Sequence, residues 1–294
     1  SPPANQQYPD KLLWGDTHLH TYLSGDAYTL GTLTTPDQAY RFAKGESIKA
    51  TGGDMVRLRR PLDFMMVADH AENLGAMPAV AAGNQELLAT PDGEEISLIL
   101  KNVPALPSVI HAGNKEQFLE RATLLNRAKA GWSGNYELRS ELKQSIWYRV
   151  IDAAEKHNDP GNFTTFAGYE WSSNPPMLHR NVVFLNGPEI TRQTVPFSKY
   201  DSYDVEDLWR NLDDYMKATG GEVIAIPHNS NLSGGGMFSP LTYQGKPIAN
   251  AYAKTRSRIE PIVEVTQIKG DSEAHPYISP EDEFADFETY GAKT

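Results

Sequence analysis

The chain contains no cysteine. That absence excludes disulfides, thiolate nucleophiles and cysteine-based zinc fingers together. No apolar run in the sequence approaches the roughly 18 residues needed to cross a bilayer. No basic block stands out either, and 27 Lys and Arg against 38 Asp and Glu leave a net charge of −11. This argues against a nucleic-acid binder and fits a site that gathers cations. A small anionic substrate stays compatible with that charge, because bound metal reverses the local field. There is no GxSxG nucleophile elbow, and the Gly234–Gly236 run lacks the GK[ST] ending of a phosphate-binding loop. Histidine is scarce, with 8 in 294 residues.

What is present describes a folded chain. Hydrophobic residues make up 39% and charged residues 22%, outside the disordered range, and the length suffices for one large core. Residues 1–10, within the opening SPPANQQYPDK, are polar and Pro-rich and read as a flexible arm. With no initiator Met there, a periplasmic or secreted chain is favoured over a cytoplasmic one.

Hydrophobic runs alternate with helical patterns. Residues 11–16 read as a first strand, and Thr35-Pro36-Asp37 as a helix start. TGGDMVRLRRP (51–61) reads as a hairpin, and LDFMMVAD (62–69) as a buried strand. Residues 71–158 form a helical insertion, with helices expected at 79–89, 115–130 and 137–157. The last carries Leu142, Ile146, Val150 and Ala154 in one stripe. FTTFAGYEW (163–171) and RNVVFLN (180–186) read as neighbouring strands. Residues 205–218 read as a helix closed by Gly220-Gly221, and 222–229 and 260–270 as further strands. This order predicts an α/β protein.

The polar residues fall at telling places. His18 and His20 are one residue apart after the first apolar run, and period-two spacing puts both on one face. Asp69 and His70, Glu170, and His228 each end another apolar run, the edge where α/β sheets bind ligands. Imidazoles and carboxylates converging there predict a metal site. Glu170, set between FTTFAGY and Trp171, is costly to bury unless it binds metal or pairs with an Arg. Asp69 can cap a helix or accept from a ligand histidine. His179 precedes a strand and is unremarkable alone. His111, His157 and His275 are assigned no metal.

Six ordered stretches then carry a resemblance: GDTHLHT (15–21) with Asp26, VADH (67–70), GYEW (168–171), HRNVVF (179–184), IPHNSN (226–231) and QIKGDSE (267–273). From about residue 12 to 290 the chain resembles the DUF3604 family, which is similar to the PHP (polymerase and histidinol phosphatase) metallohydrolases. The resemblance implies a distorted, seven-stranded, TIM-like β/α barrel over 11–294, with two or three divalent cations (Zn, Mn or Fe) at the carboxyl ends of its strands. It implies His18, His20, Asp26, His70, Glu170, His179 and His228 as metal ligands, with Glu170 bridging and His70 sharing a cation with Asp26. The late Asp-x-His that completes PHP sites is missing. The barrel is therefore expected to be incomplete at its carboxyl terminus, and its site to be finished by a further segment or a second chain.

The expected function is hydrolysis of phosphomonoesters or phosphodiesters by metal-activated hydroxide. His70, Glu170, Arg180 and His228 are the expected catalytic residues. Arg180 and Lys269 are candidates for holding an anionic small-molecule substrate, as a fork and a point charge, and Asn229 and Asn231 for orienting it. The alternatives are hydrolysis of a carboxylic ester, lactone or amide, and a metal-bound binding module without catalysis.

Overall fold

The computed structural model describes residues 11–102, 116, 119–120, 123–124, 140–173, 176–273, 275–277 and 279–286. Its main sheet has five strands in the order β1 (Gly15–Leu19), β4 (Phe64–Val67), β5 (Thr164–Trp171), β6 (Arg180–Phe184) and β7 (Val223–Pro227). β1, β4 and β5 run parallel, and β6 is antiparallel to both β5 and β7. β2 (Ile48–Lys49) and β3 (Met55–Val56) form the small hairpin expected near Gly52-Gly53.

The sheet is curled. β1 and β7 are its two edges, and a flat sheet would hold edge strands four steps apart, roughly 19 Å. Yet the rings of His18, on β1, and His228, just past β7, lie 4.1 Å apart between centroids. The described residues thus give an α/β fold with an open, half-barrel sheet. Seven-stranded closure does not occur among them.

Pleating sorts the side chains onto two faces. On the outer face Met65, Val67, Tyr169, Trp171, Val182, Phe184, Val223 and Ala225 join the main core. The helix Ser140–His157 lies against this core, burying Ile146, Trp147, Val150 and Ala154, so the expected stripe is the packed face. The helix Val205–Thr219 adds Leu208, Trp209 and Leu212; Asp204 caps its start, and Gly220 ends it in the left-handed conformation at φ 69°. The helix Pro36–Ala43 opens with a capping box between Thr35 and Gln38.

The inner face is different. Met66, Ala68, Val183 and Ile226 make a small apolar floor, flanked by Phe166 and Ile224. Gly168 belongs to this face, and a Cβ there would meet Met66 Sδ at 2.0 Å and the Val182 carbonyl at 2.6 Å. Only glycine lets the strands close so tightly above the floor.

Several expectations need correction. β1 starts at Gly15, not Lys11, and Leu12, Leu13 and Trp14 are exposed, because pairing with β4 begins at Gly15↔Phe64. The run 260–270 is not one strand. Only Glu264 bonds to the end of β7, through its N–H to the Pro227 carbonyl at 3.0 Å. The chain then turns back as the two-residue strands β8 (Thr266–Gln267) and β9 (Gly270–Asp271). The helix expected at 79–89 is two short helices, Ala76–Ala81 and Gln85–Leu88, separated by Gly83 at φ 83°. The helices Pro91–Asn102 and Asn250–Ile259 were not expected. The expected helix at 115–130 and His111 lie largely outside the described residues. No described helix is long and apolar enough to cross a membrane.

Candidate metal centre

Glu170 is the centre of the site. It is the penultimate residue of β5, faces inward above Gly168, and is fully buried. Each of its carboxylate oxygens has its own imidazoles. Oε1 lies 2.7 Å from His179 Nδ1 and 2.8 Å from His228 Nε2. Oε2 lies 2.9 Å from His20 Nε2, 3.3 Å from His70 Nδ1 and 3.7 Å from His18 Nε2.

Local structure explains these positions. His18 lies within β1, and His20 follows it on the same face. The loop after His20 is clamped by Asp69, which is buried and accepts from the Thr21 N–H (2.5 Å) and hydroxyl (2.6 Å). Burial pushes the Asp69 carboxyl up to about 6, against the lowering effect of those Thr21 bonds. His70 continues β4 through a parallel bridge to Glu170. His228 ends β7. His179 enters at the same edge because β6 is antiparallel, so the residue before that strand lies level with the residue after its neighbours.

The imidazoles are anchored from behind. His18 Nδ1 bonds Glu264 Oε2 at 2.6 Å, and His20 Nδ1 bonds Ser24 Oγ at 2.8 Å. His70 bonds Ser172 Oγ at 2.6 Å through Nδ1 and Asp26 Oδ2 at 3.2 Å through Nε2. Four overlapping groups place their ligand atoms within 4.8 Å of one another: His18–His20–Glu170, Glu170–His179–His228, His20–Asp26–His70 and His18–His228–Glu264.

Charge balance shows what the site demands. Burial lowers the pKa of His18 and His20, but bonds to Glu170 and Glu264, and to Asp26 and Glu170, raise them to about 9 and about 10. Burial raises Glu170, yet the surrounding imidazoles hold its carboxyl well below the ordinary range. Asp26 likewise sits below the ordinary range despite burial, next to His70 and His20. His228 is pushed down to about 4 by burial, which outweighs Glu170. Protons on His18 and His20 thus supply the positive charge that the carboxylates require.

The residues fit divalent cations. The donors are imidazole nitrogens and carboxylate oxygens, the set that suits Zn, Mn or Fe. Buried polar atoms at this edge also lack hydrogen bonds: His179 Nε2, Glu72 Oε2 and both amide atoms of Asn181 and Asn229. Such orphans are costly and are expected where an ion or ligand belongs. Asn181 pairs directly with Glu170 across the ladder, and so shares the inner face. Asn229 holds a left-handed backbone at φ 62° immediately after His228, a conformation that non-glycine residues adopt mainly at such special sites.

A cleft of ≈ 610 Å³ opens beside the cluster, lined by Asp16, His18, His20, Asp26, Leu30, Glu264, Ile268 and Lys269 among others. Lys269 is thus part of the cleft wall. The Asn231 amide nitrogen bonds the Lys269 carbonyl at 3.0 Å. Arg180 does not join the cluster. It faces outward, is buried at 1%, and gives Nε to Glu260 at 2.8 Å and Nη1 to the Leu178 carbonyl. Glu260 also accepts from Trp209 and Arg256, so Arg180 belongs to a buried structural network. His157 bonds Asp37 at 2.8 Å and stacks on Tyr40, outside all four ligand groups, and His275 is exposed.

Glu264, Ser172 and Ser24, each hydrogen-bonded to one of the clustered histidines, are residues that sequence reasoning missed. The only signal for Glu264 was a carboxylate inside the apolar run Ile262–Val265. No curated protein and no solved structure matches the chain. A family model described as "Protein of unknown function (DUF3604)" matches residues 7–294, with the histidine–glutamate cluster inside that span, and the chain belongs to the DUF3604 family.

Proposed function

We propose that this chain is a metal-dependent hydrolase on a PHP-like scaffold, acting on phosphomonoesters or phosphodiesters. One observation carries the reading: a single, fully buried carboxylate offers each of its oxygens to a separate set of imidazoles. That is the arrangement expected of a carboxylate shared by two cations. His18 and His20 would hold one cation with Glu170, and His179 and His228 the other. Asp26 and His70, with His20, form a third candidate position.

Divalent cations supply Lewis acidity, lowering the pKa of water and neutralising charge on a phosphoryl oxygen. The chain's own residues do the rest. Lys269 presents an ammonium to an anionic substrate in the cleft. The Asn229 amide, without a protein partner, is free to orient it. Ser172 holds the His70 ring through Nδ1, which leaves Nε2 on the Asp26 side for the third position. The apolar floor of Met66, Ala68, Val183 and Ile226 keeps water out from below.

The test begins with protein purified without added metal. Elemental analysis should find about two divalent ions per chain. Phosphoesters should be turned over with Mn²⁺ or Zn²⁺, and the activity should vanish with chelator and return with metal. Metal-dependent turnover confined to carboxylic esters, lactones or amides would replace the phosphoester reading. Tight metal and small-molecule binding without turnover of any ester would replace the enzyme with a binding module.

A further inference from the structure

Glu264 lies 246 residues from His18, and it is the group that holds His18 from behind. Its backbone N–H bonds the Pro227 carbonyl, the last residue of β7 before His228. That bond brings the side chain across the open side of the half-barrel to β1. Its Oε2 then sits 2.6 Å from His18 Nδ1, while Gln267 Nε2 donates to its Oε1 at 2.7 Å. The opposite ring nitrogen, His18 Nε2, faces Glu170 Oε2 at 3.7 Å. One imidazole is thus held between two carboxylates, one on each nitrogen.

An imidazole that binds a cation through one nitrogen keeps a proton on the other, and the acceptor of that proton fixes the tautomer and the ring plane. We propose that Glu264 is the positioning carboxylate of His18: it accepts Nδ1–H and keeps the Nε2 lone pair on the Glu170 side, and so sets the affinity of the His18–His20–Glu170 position. This rests on the metal-centre reading proposed above. Glu264 is not the ligand in this arrangement. A cation held between Glu264 and His18 would have to take Nδ1 and break the 2.6 Å bond, leaving Nε2 facing Glu170 without purpose. The carboxylate is also tied to the cleft wall, because Gln267 lies in β8, next to the turn that carries Ile268 and Lys269.

The experiment uses the full chain, as wild type, Glu264→Gln and Glu264→Leu, each checked for folding by circular dichroism. Zn²⁺ affinity and stoichiometry are measured by competition with a chromophoric chelator. Histidine ring ¹⁵N spectra are recorded on the Zn²⁺-loaded proteins, with His18→Asn identifying the His18 signals. Glu264→Leu should weaken Zn²⁺ binding by about 10- to 100-fold, the range for lost outer partners of ligand histidines, and should abolish the protected Nδ1–H signal. Glu264→Gln keeps an acceptor oxygen, so it should retain that signal and recover most of the affinity. Stoichiometry should be unchanged in both. Wild-type affinity in a folded Glu264→Leu would overturn the proposal, and so would the loss of one metal equivalent in both variants, which would make Glu264 a direct ligand. If Glu264→Leu fails to fold, loss of the Nδ1–H signal in Glu264→Gln overturns it instead. Failure of the wild type to bind Zn²⁺ at all would remove the metal-centre reading itself, a result separable from the others.

Discussion

Metal binding at the His18–His20–Glu170 position should expel protons. In the metal-free chain His18 and His20 have pKa values raised to about 9 and about 10 by their carboxylate partners. At pH 7.5 both are therefore protonated, whereas His228, lowered to about 4, is neutral. A cation needs the neutral imidazoles, so its arrival at the His18–His20–Glu170 position must release close to two protons. Linkage then makes apparent affinity rise by about two log units per pH unit from pH 7 to pH 9, flattening above pH 10. The assay is titration calorimetry with Zn²⁺ or Mn²⁺ in buffers of different ionisation enthalpy. The slope of observed enthalpy against buffer enthalpy reads the protons released, and chelator competition across pH reads the affinity. Metal binding with fewer than about half a proton released at pH 7.5 would refute the charge assignment, because the imidazoles would then be neutral before the metal arrives. The same pKa values bear on stability. The raised histidines stabilise the metal-free fold fully below about pH 6.5, their unfolded value, and lose that contribution as pH climbs through 9 and 10. The metal-free protein should accordingly melt at lower temperature at pH 10 than at pH 7.

Four substitutions separate the parts of the site from its surroundings. Glu170→Gln removes the carboxylate shared by two of the ligand groups, and should abolish stoichiometric Zn²⁺ binding at micromolar concentrations; retention of two equivalents would show that Glu170 bridges nothing. His18→Ala should lower kcat/KM by about 100-fold or more, whereas His157→Ala, which loses only a bond to Asp37, should leave kcat/KM and metal content nearly unchanged; equal losses in both would count against the ligand assignment. Gly168→Ala forces a methyl group against Met66 and the Val182 carbonyl, and should cost about 1–3 kcal/mol in denaturant melts; an unchanged midpoint would mean that the β4–β5–β6 contact relaxes freely.

Residue type and position along the chain determined much of this protein. Apolar runs ending in His or Glu mark strand ends, because period-two burial leaves the last residue at the sheet's edge. His70, Glu170 and His228 were legible on that ground, whereas His18 and His20 were legible from their own period-two spacing, since the apolar run before them lies exposed outside β1. The stripe Ile146, Val150 and Ala154 named the packed face of its helix for the equivalent reason at helical spacing. Strand direction was not legible. His179 looked unremarkable because it precedes its strand, and only antiparallel pairing of β6 brings that end to the ligand edge. Pleat parity was not legible either. Arg180, one residue on, faces the opposite side and is spent on Glu260, although its guanidinium fork made it a candidate for holding an anionic substrate. Glu264 depended on the curl of the sheet, since a side chain after β7 meets β1 only when the two edges converge. Local pattern reports which residues share a face, but closure across the open side is a non-local event, and the tertiary structure alone decided which carboxylate meets which histidine.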